Sequence, residues 1–131
     1  MIGLDTNVLI RFFVKDDPGQ CRIARSLLSS LSVAEPGWIG LATLLELVWV
    51  LKSAKGLDRA WIAKLLGELL SLEVILIEHP GTVAMALERY RHGNADFADC
   101  LIAASAKAAG CSRTVTFDKI AARDAGMELL A

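Results

Sequence analysis

The sequence predicts an α/β fold: a parallel sheet with helices on both faces. Short apolar, β-branched runs alternate with longer segments of helical periodicity along the whole chain. The opening run is continuously apolar rather than alternating, as expected of a buried parallel strand. Glycine, proline and N-capping residues stand at the joints.

Met1 to Leu4 is the first strand, ending at Asp5. Thr6 to Val14 reads as a helix with Val8, Leu9, Phe12 and Phe13 on one side. Asp17-Pro18-Gly19 breaks it, and Pro18 opens the next helix, where Cys21, Ala24, Leu27, Leu28 and Leu31 follow at helical spacing. After the turn Glu35-Pro36-Gly37 comes a minimal strand, Trp38 to Gly40, and then a strongly apolar helix, Leu41 to Lys52. Asp58 caps a helix reaching about Ser71. Glu73 to Ile77 is β-branched and apolar, which predicts a central strand. His79-Pro80-Gly81 reads as a turn, Thr82 to Arg91 as a helix, and His92-Gly93-Asn94 as a loop. Ala95 to Ala109 is a helix closed by Gly110. A strand at Arg113 to Thr116, a short helix at Lys119 to Asp124 and a strand at Met127 to Leu130 complete the chain. No repeat or linker interrupts it, so one domain spanning 1–131 is expected.

The 131 residues are enough for a real core. A hydrophobic content of 54% with a mean hydropathy of +0.47 leaves apolar residues over for a partner surface. The net charge is −1 and the pI about 6.1, so the chain lacks the global basicity of many nucleic-acid binders. Contact with nucleic acid would need a local patch or bound cations. Three cysteines without metal-ligand spacing fit a reducing compartment. The longest apolar run, Leu44 to Leu51, is too short for a bilayer, and no secretory signal is visible. A soluble, cytoplasmic protein with no membrane association is expected.

Four acids punctuate apolar surroundings. Asp5 follows the first strand, Glu46 interrupts the helix at 41–52, Asp99 opens Asp99-Cys100-Leu101-Ile102-Ala103-Ala104, and Asp118 closes Thr114-Val115-Thr116-Phe117-Asp118. An unpaired carboxylate in low dielectric neutralises, finds a cation or lies at a pocket edge. In open parallel sheets, ligands gather at the carboxyl ends of strands, where Asp5 and Asp118 are expected. Each acid also has a local explanation. Asp5 and Asp118 are good N-caps, and Asp96 and Asp99 are three apart, as in a capping arrangement. Glu46 is hardest to explain locally, because leucines flank it and Lys52 is beyond i,i+4 reach. A solvent-facing stripe is the alternative there.

Asp5-Thr6-Asn7 after a strand, Glu46 in an apolar helix, Ala95-Asp96-Phe97-Ala98-Asp99-Cys100-Leu101-Ile102-Ala103-Ala104, and Thr116-Phe117-Asp118 occur in that order. Together they resemble a PIN domain, most closely the VapC ribonuclease toxins of bacterial toxin–antitoxin pairs. The resemblance covers essentially the whole chain. It implies a three-layer α/β/α sandwich with a central, mainly parallel sheet. It also implies metal-site acids at Asp5, Glu46, Asp99 and Asp118, with Asp96 as a further acid and Asn7 and Thr116 as supporting polar residues. A homodimer and inhibition by a small antitoxin protein follow from the same resemblance.

Carboxylate oxygens suit a hard divalent ion, Mg²⁺ or Mn²⁺, which in phosphodiester hydrolysis supplies the nucleophile and neutralises charge. Asp5 and Asp99 are the expected direct ligands. Glu46 and Asp118 would serve a second ion or the attacking water. Cations would also reverse the local sign, so that an RNA backbone is tolerated. Arg11, Lys15, Arg89, Arg91, Lys107, Arg113 and Lys119 are candidates to hold flanking phosphates, against the plainer reading of solvated helix faces. His79 and His92 lie in expected loops without a serine or cysteine motif, which argues against triad chemistry. No glycine-rich nucleotide motif is present. Cys100 points away from Asp99 around the helix and is read as packing. Trp38, Trp49 and Trp61 are read first as core, and otherwise as part of a dimer or antitoxin surface. The competing functions are a non-catalytic interaction module, a receiver-like Mg²⁺-binding domain and a DNA nuclease.

Overall fold

The computed structural model describes residues Met1–Ala131. The chain separates into two compact units, one of Met1–Asp58 with Glu68–Glu78, the other of Arg59–Gly67 with His79–Ala131.

The first unit holds β1 (Ile2–Gly3), α1 (Thr6–Phe13), α2 (Pro18–Ser30), β2 (Gly37–Ile39), α3 (Leu41–Ser53), the end of α4 (Arg59–Ser71) and β3 (Ile75–Ile77). The strands form one parallel sheet in the order β1-β2-β3, with Ile2 opposite Gly37 and Trp38 opposite Leu76. β2 is therefore the central strand, and β3, expected there, lies at the edge of this sheet. Apolar, β-branched composition reports burial, not a strand's place in the order: Ile75 and Ile77 are buried while Leu76 between them is exposed. Leu9, Ile39, Leu44, Leu47, Leu51 and Leu69 are buried completely. Asp17 caps α2 through a bond from the Gln20 N–H, and Pro18 occupies the first turn, where its missing donor costs nothing. α3 begins after Gly40, which has no side chain to cap with. Glu78 at the end of β3 caps it instead, its Oε1 accepting from the Leu41 N–H at 2.9 Å. A Cβ on Gly40 would meet the Trp38 ring at 3.0 Å.

The second unit holds the start of α4, then α5 (Pro80–His92), α6 (Phe97–Ala108), β4 (Val115–Thr116), α7 (Lys119–Asp124) and β5 (Glu128–Leu129). β4 and β5 pair in parallel, with Val115 opposite Glu128. α5 packs along α6, and α7 touches both. Phe97, Ile62, Leu66, Val83 and Cys100 are fully buried, so Cys100 is a packing residue. The expected turn at His79-Pro80-Gly81 is instead the start of α5. His79 takes a left-handed backbone (φ 47°) as N-cap, and Pro80 follows in the first turn. His92, expected in a loop, ends α5 and meets Glu88 one turn back at 2.7 Å. Gly110 follows α6 with φ 98°, a conformation that only glycine adopts without strain.

The tryptophans are not core. Trp38 is 37%, Trp61 36% and Trp49 65% exposed, so the first reading of these residues is overturned. Leucine and isoleucine fill both interiors, leaving the indoles at the surface. No helix is long and apolar enough to cross a membrane.

Candidate metal centre

In the first unit, Asp5 is the N-cap of α1 with an extended backbone, and its Oδ1 accepts from the Thr6 N–H at 2.8 Å. Oδ2 has no hydrogen bond, and the residue is exposed. Thr6 beside it is buried, and its Oγ1 is the one buried side-chain polar atom without a partner. An unmet buried hydroxyl costs about 1–3 kcal/mol, an amount usually offset by a bound water or ligand. Asn7, one residue on, is exposed and lines a groove of about 410 Å³ with Arg11, Gln20 and Ile23. Glu46 lies in the second turn of α3 and is exposed, on a stripe with Ala42 and Trp49 opposite the buried Leu44, Leu47 and Leu51. The apolar neighbours in sequence are thus not neighbours in space, and Glu46 carries no burial penalty.

In the second unit, Asp96 is the N-cap of α6 and Asp99 stands in its first turn. Asp99 is partly buried, and its carboxylate accepts no hydrogen bond. Burial pushes its pKa up, and the charges of Asp96 and Asp118 push it further. Asp96 and Asp118 thus act on Asp99 through their charge, after burial. Asp118 caps α7: its Oδ1 accepts from the N–H groups of Ile120 (2.8 Å) and Ala121 (2.9 Å), while Oδ2 is left over. Its own N–H donates to Thr116 Oγ1 at 3.0 Å, so Thr116 fixes the backbone from which Asp118 projects. The capping roles are real for Asp5 and Asp118, but each uses a single oxygen.

None of the four principal acids is buried outright; Asp5, Glu46 and Asp118 are exposed. The expectation of carboxylates in low dielectric holds only for Asp99, and there in part. No group of three or more His, Cys, Asp or Glu side chains stands in ready metal-ligating geometry. The donor chemistry nonetheless fits a hard ion. Asp96, Asp99 and Asp118 offer carboxylate oxygen with neither thiol nor imidazole among them, and a cation would relieve the repulsion felt by Asp99.

No sequence signal marked the residue that holds this region in place. Arg59, at the start of α4, donates from Nε to the Tyr90 carbonyl (3.0 Å) and from Nη2 to the Ala95 carbonyl (2.6 Å). Asp124 accepts from the Asn94 N–H at 2.9 Å. The loop delivering Asp96 to α6 is therefore tied at two points, Asn94 and Ala95, and to the end of α5 through Tyr90. Among the expected phosphate-holding cations, Arg11 is committed to Asp16 (2.9 Å) and Gln20, and Arg113 pairs with Glu128 (2.7 Å).

A comparison with curated proteins finds no match to this chain. The family model for the PIN domain matches residues 2–126. PIN domains are generally nucleases, typically dependent on divalent metal ions, and the receiver-like alternative falls with that match. Parallel strands, the helices between them and this match over nearly the full length agree: the chain belongs to the PIN domain family and has its α/β fold.

Proposed function

We propose that this chain is a single-domain, metal-dependent endoribonuclease, the VapC-like toxin of a toxin–antitoxin pair. The observation that carries the reading is the PIN domain match over residues 2–126, in a chain whose Asp99 is partly buried and has its pKa raised by that burial first and by the charges of Asp96 and Asp118 second. A partly buried carboxylate that accepts no hydrogen bond, as at Asp99, is suited to a cation.

In this reading Asp5 and Asp99 bind Mg²⁺ or Mn²⁺ directly, while Glu46 and Asp118 bind a second ion or orient the attacking water. The ion supplies charge neutralisation at the phosphate and a nucleophilic water at neutral pH. Thr116 holds Asp118, and Asn7 orients water beside Asp5. Thr6 Oγ1, buried without a partner, would be satisfied by the same ordered water. Asp96 adds negative charge and raises affinity for the ion.

RNA is the proposed substrate, and a small antitoxin and a second copy of the chain are the proposed partners, in the cytoplasm. The exposed Trp49 supports an apolar contact surface. Sedimentation at micromolar concentration should give a dimer; a monomer alone would remove that part of the reading. The activity itself is tested by incubating labelled RNA and DNA of one sequence with the protein in Mn²⁺ and in EDTA. RNA cleavage in Mn²⁺ only is expected. Cleavage of neither, with metal present, would leave a non-catalytic PIN module.

A further inference from the structure

The second unit contains a cleft of about 310 Å³ that none of the acids enters. Arg89, Lys107 and Arg113 line it, together with Ala103, Thr114 and Gly126. Arg113 is neutralised by Glu128, but Arg89 and Lys107 have no carboxylate partner. The Arg89 guanidinium lies against Gly126 so closely that a Cβ there would meet it at 2.7 Å. Arg89 and Lys107 each sit in the last turn of a helix, where a cation is favourable. That preference explains their presence in α5 and α6, not their convergence on one concavity.

The cleft and the acids share helix α6. Asp99, Ala103 and Lys107 follow one another at four-residue steps along one side of α6. Asp99 and Lys107 are thus about 12 Å apart along the helix axis. The same polarity holds on β4, where Thr114 and Arg113 precede the strand and Asp118 follows it. Carboxylates stand at one end of this track and unpaired cations at the other.

We propose that this cleft binds a backbone phosphate of single-stranded RNA, away from the acids. The identity of the polymer rests on the ribonuclease reading; the anion site does not. Arg89 and Lys107 contact the phosphate, Ala103 receives sugar or base, and the cleft anchors the strand while contributing nothing to bond cleavage.

The test uses the full chain in EDTA, where no cleavage occurs, with a fluorescent single-stranded RNA oligonucleotide followed by anisotropy across a salt series. The double variant Arg89→Gln/Lys107→Gln should bind roughly tenfold more weakly at low salt. Its slope of log affinity against log salt should be shallower by about 0.7, the loss of one single-strand phosphate contact. The charge-matched control Arg22→Gln/Arg25→Gln should change neither. Equal losses in both variants, or no loss in the first, would overturn the proposal, provided circular dichroism shows both folded. A second arm titrates AMP. If the wild type binds AMP, the double variant does not and RNA binding is unchanged, the anion site stands and its ligand is a free nucleotide, not RNA. A wild type inactive in Mn²⁺ whose RNA binding still depends on Arg89 and Lys107 would sink the nuclease reading and leave the cleft.

Discussion

The guanidinium of Arg59 stacks over the Tyr90 ring, 3.9 Å from its centroid, while bonding the carbonyls of Tyr90 and Ala95. Tyr90 in turn meets Phe97, the first residue of α6, edge-on at 5.6 Å. One side chain therefore closes the end of α5 and fixes the entry to the helix that carries Asp99. Arg59→Ala should destabilise the protein by about 2–3 kcal/mol, less than the full sum of a cation–π contact and two charge-assisted bonds because the side chain is only part-buried. Arg59→Lys should recover part of the stacking but not the fork of bonds. Urea unfolding of the three proteins measures this, and equal midpoints would show that the clamp is dispensable.

Asp99→Asn and Asp5→Asn should each abolish Mn²⁺-dependent RNA cleavage while leaving the circular dichroism spectrum intact. Without metal, Asp99→Asn should melt no lower than the wild type. The sign follows from the raised pKa: at neutral pH the charged Asp99 works against the fold, and the amide removes that charge. Full cleavage by both purified variants would refute the assignment.

Adding Mn²⁺ to metal-free protein should raise the melting temperature in a concentration-dependent way, and EDTA should reverse it, because an ion bound only to the native state stabilises that state by mass action. The rise should shrink as pH is lowered and protons compete for the carboxylates. It should be absent in Asp99→Asn/Asp118→Asn. An identical rise in that variant would place any bound ion elsewhere.

Asp124 accepts two bonds from Arg123, at 2.9 and 3.0 Å, and one from the Asn94 N–H, which together lower its pKa to about 2. A depressed carboxylate stabilises the fold once it is ionised in both states. Its contribution is complete above the ordinary value of 3.8 and is lost as pH falls towards 2. Asp124→Asn should therefore flatten the acid limb of the melting curve between those values, seen by calorimetry from pH 5 downwards (about where such loss begins). An unchanged limb would mean that the loop before α6 does not depend on this carboxylate.

The order of helices and strands was legible in the residues themselves, because apolar period, caps and breakers are local signals. Asp17-Pro18 marked the start of α2, and Gly110 the end of α6, through backbone chemistry that needs no partner. The same local reading misjudged Pro80, since a proline that breaks a chain and one that opens a helix look alike until His79 takes its left-handed turn. The acids were visible as anomalies in an apolar pattern, but their surroundings were not. Glu46 sits among leucines in sequence and in solvent in space, because a helix turns by about 100° per residue.

What the sequence determined alone was the α/β class and the set of acids to watch, both properties of residue type and spacing. Only the tertiary structure decided that β2 is flanked by β1 and β3, that the indoles face outward, and that Asp99 is pressed by Asp96 and Asp118. It also decided that Arg59 holds Tyr90 and Ala95 from far away in the chain, and that Arg89 and Lys107 share a cleft. The physical reason is that strand order, exposure, electrostatic repulsion and convergence depend on distances between residues remote in sequence, which packing sets and local propensity does not.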